Sequence, residues 1–495
     1  MSFLFTNYKH FYNSYLFKIT IYLIAAFFYT YFAGLSLPDD GLRHIAFAAH
    51  PDIMKSWGDV FPHSLFFKEY DPWFVWHKII AFYLLFIPYE SVHLAINFTV
   101  IFTLMLLLDK LFLKYSTLKN SPIVLFIILT VVLLGSFRYI NVRPDLLSGI
   151  FLITALLLNR YTLLLFIFTI LYSTSYYLFF LYTGSLGLMY LVLKEYKPLV
   201  ALFLGSLIGL GLHLYFAGKY YIDTIVYLLT DQSLREGLQV GEGLALFSIL
   251  GHINYFILVL FSLVLSFIII FKYYSYFKKQ PIALLLLLMS PLWLAQERYF
   301  TILKPIFFIY FFIEFKHIFS LLLKRQILYY LYNFLHIIKN FQYKSIFLIP
   351  ALLYTTIMFG YMMREYDLKS TLQSKYFYKN PIFNNQTILL NNFTIDIYYA
   401  LYLNPTLKFI PSCSIGWFKG NKEMKELYIK MMKNEGLNEQ ELSQLLKFVN
   451  VKYYFHFLSA SKQILSFIEL QKLHIEAKLI LDNKIIFERK ETNDY

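Results

Sequence analysis

A single cysteine, Cys413, stands in this chain of 495 residues. That excludes an intramolecular disulfide framework and a cysteine-cluster metal site. Charge is scarce too: Asp, Glu, Lys and Arg make up 15% of the sequence, against roughly 25% for a soluble globular chain. Acids are the scarcer sign, with 30 Asp and Glu against 44 Lys and Arg and a formal net charge of +14. The basic residues are scattered between apolar runs. Scattering excludes a nucleic-acid-binding surface, which needs them concentrated, and fits the anchoring of cytoplasmic membrane loops. The sequence also has no internal repeat, no low-complexity linker and no HExxH spacing.

What the chain has in abundance is apolar residues, 59% of the total, with 21% aromatic and a mean hydropathy of +0.56. Runs long enough to cross about 30 Å of hydrocarbon recur. Spans are predicted at about 15–35, 91–108, 122–137, 145–158, 161–176, 178–193, 198–217, 246–271, 281–295, 300–315 and 346–363. The first run is too long for a signal peptide and lacks a small-residue cleavage site. The fold class is a polytopic α-helical membrane protein of about eleven transmembrane helices, with a small C-terminal α/β domain outside the membrane.

Charge bias orients the spans. Lys110, Lys114 and Lys119 follow the second, Arg160 the fourth, Lys194 and Lys197 the sixth, and Lys272, Lys278 and Lys279 the eighth. Lys316, Lys324, Arg325, Lys339 and Lys344 follow the tenth, so these loops are read as cytoplasmic. The parity needs Asp71–Pro88, apolar but short, to be an interfacial or re-entrant helix. The outer face then holds the first loop, 36–90, and the segments Arg138–Asp145, Gly218–Gly243 and Gln296–Lys304. The transmembrane module is 1–363 and the outer C-terminal domain 364–495. Within that domain Glu423–Lys433 and Glu439–Phe448 read as helices, the second capped by Asn438. Val451–Phe457 reads as a strand and His474–Arg489 as a hairpin turning at Asp482-Asn483.

Candidate chemistry gathers on the outer segments. Asp39 and Asp40 follow the first span by a few residues. Carboxylates so close to hydrocarbon are costly unless solvated or paired, so they mark a candidate site. Capping of the helix starting at Gly41 is the competing account. Arg43 and His44 lie a helical turn on. Arg43 matches phosphate oxygens in a bidentate way or pairs with Asp39 or Asp40. Arg143-Pro144-Asp145 enters the fourth span, where Pro is a normal helix start and Asp suits the helix dipole. Glu297-Arg298-Tyr299 closes the ninth span and Lys304 follows in the tenth, where a buried Lys needs a partner. Trp73 and Trp76 read as an interface aromatic belt or as a lining for lipid or sugar. Gly218–Gly243 reads as a loop, either a flap over substrate or plain surface. His44, His50, His63 and His77 with Asp52 and Asp59 offer metal ligands without a recognised spacing, so the metal site is left unknown.

Together, an acidic pair after the first span, the aromatic-Pro segment, Asn141-Val-Arg-Pro-Asp145, Glu297-Arg298-Tyr299 and the outer C-terminal domain resemble the GT-C superfamily of integral membrane glycosyltransferases. The chain is most similar to bacterial enzymes related to protein mannosyltransferases and lipid A aminoarabinose transferase. The resemblance implies a polyprenyl-phosphate sugar donor, inversion at the anomeric carbon, and a lipid, glycan or protein acceptor. It implies an inner-membrane protein with its site on the periplasmic face. By the same resemblance Asp39 is the general base, Asp40 its neighbour that positions the acceptor, and Asp145 a second acid. Arg43, Arg143, Arg298 and Lys304 are the donor-phosphate candidates; His44, Trp73, Trp76, Glu297 and Tyr299 line the substrate. No cofactor is demanded, and a divalent cation, Mg or Mn, stays open because relatives differ. A lipid-linked sugar or polysaccharide transporter and a glycan ligase or polymerase are the alternatives. A transporter would show inverted repeats and mid-membrane charge, and a ligase a large Arg-rich outer loop.

Overall fold

The computed structural model describes residues 15–33, 40–62, 70–116, 122–135, 139, 142–230, 255–295, 297–322, 381–390, 396–410, 422–432, 437–451, 453–457, 475–481 and 484–489. The chain forms two compact units. One comprises Met1–Leu37, Phe82–Leu210 and Glu242–Leu368; the other comprises Pro38–Ala81, Gly211–Gly241 and Lys369–Tyr495.

The first unit is helical. Its helices coincide with the predicted spans from 15 to 315: α1 (Tyr15–Ala33), α4 (Val92–Tyr115), α5 (Pro122–Gly135), α6 (Leu146–Leu157), α7 (Thr162–Ser175), α8 (Phe179–Val192), α9 (Tyr196–Ala217), α11 (Tyr255–Lys272), α12 (Pro281–Leu288), α13 (Ser290–Ala295) and α14 (Glu297–Leu322). The span predicted at 346–363 lies outside the described residues. Among the described residues, Tyr89–Tyr115 and Tyr196–Ala217 are long and apolar enough to cross a membrane by themselves. By contrast α6, α7 and α8 have 12, 14 and 14 residues, short of the roughly 20 a free span needs. Irregular backbone at membrane depth is tolerated where protein rather than lipid surrounds it. Accordingly α6 is buried on almost every side. Lipid is needed elsewhere: Phe203, Phe261, Ile268 and Phe271 on α9 and α11 are 58–81% exposed, an apolar surface that water does not support.

Hydrogen bonds settle how neighbouring helices run. Lys18 near the start of α1 reaches Asp109 near the end of α4 at 3.1 Å, and Tyr22 donates to the same oxygen at 3.1 Å. The first two spans are therefore antiparallel, so the chain between them leaves and returns on one face. An antiparallel first pair is the arrangement that an interfacial or re-entrant 71–88 would give. At the ends of α4 and α6, Lys114 donates to the Leu156 carbonyl (2.7 Å) and to Asn159 (2.9 Å), and Asn159 donates to Glu195 beyond α8 (3.3 Å). The ends of the second, fourth and sixth spans thus share one face, the one their lysines mark. Close approach of α7 and α9 rests on two glycines one turn apart, in the small-residue manner of membrane helices. A Cβ at Gly205 would lie 2.8 Å from Thr169, and one at Gly209 would lie 1.8 Å from Ser173 Oγ.

The second unit joins the first outer loop to the C-terminal segment. Its helices α2 (Asp40–Ala49), α3 (Phe74–Leu84) and α10 (Lys219–Thr230) are followed by β1 (Thr387–Leu390), α15 (Asp396–Leu403), β2 (Lys408–Ile410), α16 (Lys422–Met432), α17 (Glu439–Val449), β3 (Tyr453–Phe457), β4 (Ile475–Leu481) and β5 (Lys484–Arg489). The 5-stranded sheet has the order β2-β1-β3-β5-β4. The pairs β1–β2 and β1–β3 are parallel, and β5 is antiparallel to both neighbours. Helix α15 packs on α2, which ties the first loop to the C-terminal segment. Asn438 caps α17 as its position predicts: it accepts from the Glu441 N–H while Glu441 accepts from the Asn438 N–H. One expectation is corrected. Gly218–Gly243 is not a loop throughout, because Lys219–Thr230 is helical. Its apolar residues recur at Tyr221, Ile225 and Leu228, the spacing of a helix face, which the flanking glycines obscured.

Candidate functional site

In the helical unit the site is built around Asp145. Pro144 has no N–H to leave unsatisfied and suits a helix entrance. Asp145 stands at the N-cap of α6 yet makes no side-chain cap hydrogen bond, and it is 5% exposed. The backbone before it is strained: Val142, a β-branched residue, has φ +48°, in the left-handed region that such residues avoid. Asn97 holds it there, its side chain accepting from the Val142 N–H at 3.3 Å. Backbone strain of this kind collects at functional sites.

Tyrosines surround this entrance. Tyr172, Tyr176 and Tyr182 lie within electrostatic reach of Asp145. Tyr172 stacks on Phe151 with ring centres 4.1 Å apart and shares a 2.7 Å hydrogen bond with Ser148. Tyr182 stands 6.3 Å from both Tyr176 and Tyr299. The Tyr176 hydroxyl is buried and finds no hydrogen-bond partner among the described residues, an arrangement that native proteins reserve for water or a bound group. Behind the ring, Tyr139 donates to the Ile302 carbonyl at 2.7 Å, in the turn of α14 that Pro305 disrupts. Gly149 leaves it room, since a Cβ there would fall 1.8 Å from the Tyr139 oxygen. Asp145 and Tyr299 are thus brought into one cluster. Tyr139, Tyr172, Tyr176 and Tyr182 were missed by sequence reasoning; the polar run Ser173-Thr-Ser-Tyr-Tyr177 between apolar spans was the available signal.

The remaining candidates of this unit are placed less closely. Arg143 and Lys304 are half-buried. Glu297 and Arg298 open α14 rather than closing the preceding span, because the helix break falls at 296 and an acid favours a first turn. Their side chains lie outside the described residues.

In the second unit Asp39 lies outside the described residues, and Asp40 is the first residue of α2. Further along α2, Arg43 and His44 are 2% and 1% exposed. Arg43 Nη2 is 3.0 Å from His44 Nε2, His44 Nδ1 is 2.8 Å from His77 Nε2, and His77 Nδ1 is 2.7 Å from Asp71 Oδ2. Trp73 lies under the Arg43 guanidinium at 4.7 Å and meets the His44 ring edge-on. Trp73 and Trp76 are both buried in this unit. Next to Asp71, Tyr70 hydrogen-bonds His213, which stacks on Tyr221 with centres 4.8 Å apart. Burial first, then the Asp71 charge, push the Tyr70 hydroxyl above the ordinary tyrosine range. Burial lowers the His50 imidazole. Asp59 closes its own loop, accepting from the Lys55 and Ser56 N–H groups. Among the described residues no three His, Cys, Asp or Glu gather as metal ligands; His63 lies outside them.

The sequence matches no family model and no curated relative. The structure does have solved counterparts. The archaeal oligosaccharyltransferase AglB from Archaeoglobus fulgidus, solved with an inhibitory peptide and a dolichol-phosphate, aligns with a TM-score of 0.53 at 11% identity, over 90% of this chain and 70% of that one. The Archaeoglobus fulgidus oligosaccharyltransferase in its apo form aligns with the same TM-score at 12% identity, over the same shares of the two chains.

The chain has the oligosaccharyltransferase fold. That fold agrees with the architecture the resemblance implied, and the exposed apolar faces of α9 and α11 fit a membrane protein. At this identity the likeness carries the fold and leaves residue roles to the local chemistry.

Proposed function

We propose that the protein is a membrane glycosyltransferase that moves a sugar from a polyprenyl-phosphate donor to a lipid, glycan or protein acceptor, on the periplasmic face of a bacterial inner membrane. The observation that carries this reading is the fold likeness over 90% of the chain to an enzyme solved with a dolichol-phosphate. The outer-end cluster of Asp145 and its tyrosines supports it.

The chemistry assigns the parts. Asp39 takes the proton of the acceptor hydroxyl or amine as it attacks the anomeric carbon. The new bond forms on the face opposite the phosphate, and the bond from the anomeric carbon to the phosphate oxygen breaks, inverting the centre. The lipid phosphate leaves with the bonding pair, so cations must meet its growing charge; Arg143, Arg298 and Lys304 are assigned this task. Asp40 positions the acceptor and Asp145 serves as the second acid. Tyr299, Trp73, Trp76 and Glu297 line the substrate. A second reading has an oligosaccharide donor, favoured by the kind of enzyme that shares the fold.

The test uses purified protein in nanodiscs with labelled polyprenyl-phosphate monosaccharides, lipid-diphosphate oligosaccharides and a membrane-glycan extract. Wild type transfers label from a monophosphate donor, and Asp39→Asn lowers the rate at least about 100-fold with donor binding retained. A fully active Asp39→Asn removes the base assignment, and consumption of the diphosphate donors alone moves the second reading ahead. EDTA, then Mg or Mn, assigns the metal requirement.

A further inference from the structure

We infer that Asp71, His77 and His44 are positioning residues: a one-way hydrogen-bond relay that ends on Arg43 and holds the first turns of α2, the helix Asp40 begins, for the reaction proposed above. The inference rests on the glycosyltransferase reading for its catalytic use and on geometry for the relay itself.

The ends of the relay fix its polarity. An arginine guanidinium only donates and an ionised carboxylate only accepts. Arg43 Nη2 is 3.0 Å from His44 Nε2, so that nitrogen keeps its lone pair. The His44 proton then sits on Nδ1, which faces His77 Nε2 at 2.8 Å. That nitrogen must accept as well, which leaves the His77 proton on Nδ1, 2.7 Å from Asp71 Oδ2. The other Asp71 oxygen accepts the Trp73 N–H at 3.0 Å. Both imidazoles are therefore neutral and protonated on Nδ1. A second proton on either ring would set N–H against N–H and open the chain.

Packing makes the relay rigid. Phe47 lies face-on to His77, with ring centres 5.4 Å apart and planes 21° from parallel. Trp73 closes over Arg43 and His44. A buried polar chain is not what holds two short helices together, since apolar groups of the same shape do that at lower cost. What a buried, fully directed chain adds is orientation. Here it orients Arg43, three residues after Asp40, against α3, so α2 runs from a fixed start. The same geometry uses both ring nitrogens of His44 and of His77, which removes them from metal ligation in this arrangement.

The test uses full-length protein in lipid bilayers with isotope-labelled histidine, the two signals assigned from His44→Gln and His77→Gln. Solid-state NMR at neutral pH is expected to show both rings as neutral Nδ1–H tautomers; an Nε2–H tautomer or a cation at either position overturns the relay. In the transfer assay Asp71→Asn keeps an acceptor oxygen and holds kcat within about threefold of wild type. Asp71→Leu lowers kcat by about tenfold or more while changing donor KM less than about twofold. Equal rates in the two variants overturn the positioning role. If the wild type transfers no sugar from any donor, the glycosyltransferase reading fails by itself, and Nδ1–H tautomers in that protein would keep the relay while overturning its catalytic use.

Discussion

Lys18 and Asp109 show what single residues do inside the helical unit. Their side chains are 5% and 2% exposed, so each charge depends on the other. Removing one partner of a buried pair strands the second and costs about 3–5 kcal/mol, whereas replacing both by apolar groups is often nearly neutral. Lys18→Met should therefore lower the unfolding temperature in nanodiscs sharply, and Lys18→Met with Asp109→Leu should recover most of the loss. Equal losses would mean the pair is not coupled. Val142 is the opposite case, a residue whose strain is held by Asn97 rather than relieved. Neither feature is visible locally: Lys18 and Asp109 are 91 residues apart, and nothing in the sequence marks a valine for positive φ.

At the scale of elements, α16 and α17 show a stop and start written in the chain. Asn438 and Glu441 form a capping box, and Lys430 on α16 meets Glu441 at 2.8 Å. Asn438→Ala should cost about 1 kcal/mol, read as faster amide exchange in Glu439–Val449. The Lys430 hydrogen bond first, then the Asn438 N–H, hold the Glu441 carboxyl below the ordinary carboxylate range. A folded-state value below the unfolded one gives stability that is present above the unfolded value, near 4.3, and is lost as pH falls through the folded value. Exchange in α17 should quicken on acidification below about pH 4.5, and Glu441→Gln should remove that dependence. Helices α6, α7 and α8 are the elements that sequence reasoning placed well and understood least. Their hydropathy marks them as spans, but for α6 only its enclosure by other helices explains how 12 residues suffice.

For the whole molecule, the prediction concerns sidedness. Lys279 and Lys447 are both exposed, and the charge bias puts them on opposite faces. In a Cys413→Ser background, an impermeant thiol reagent added to intact cells should label Lys447→Cys and spare Lys279→Cys until the membrane is opened. The reverse pattern would invert the orientation and move the proposed site to the cytoplasm. The joining of the first loop with the C-terminal segment in one unit requires those two parts to share a face.

Partition into a bilayer is a free energy that each segment pays largely alone, and Lys and Arg bias acts loop by loop. The apolar helices of the first unit were therefore legible in the sequence, and the sidedness read from the charge bias awaits the labelling test. The C-terminal helices and hairpin were legible because caps and turns are local. The tyrosine ring on Asp145, the path from Asp71 to Arg43 and the pairing of the first loop with α15 were not. They arise where segments far apart in the chain pack side by side, and that convergence depends on the fit of helix surfaces, such as Gly205 and Gly209 against Thr169 and Ser173, which no single segment records.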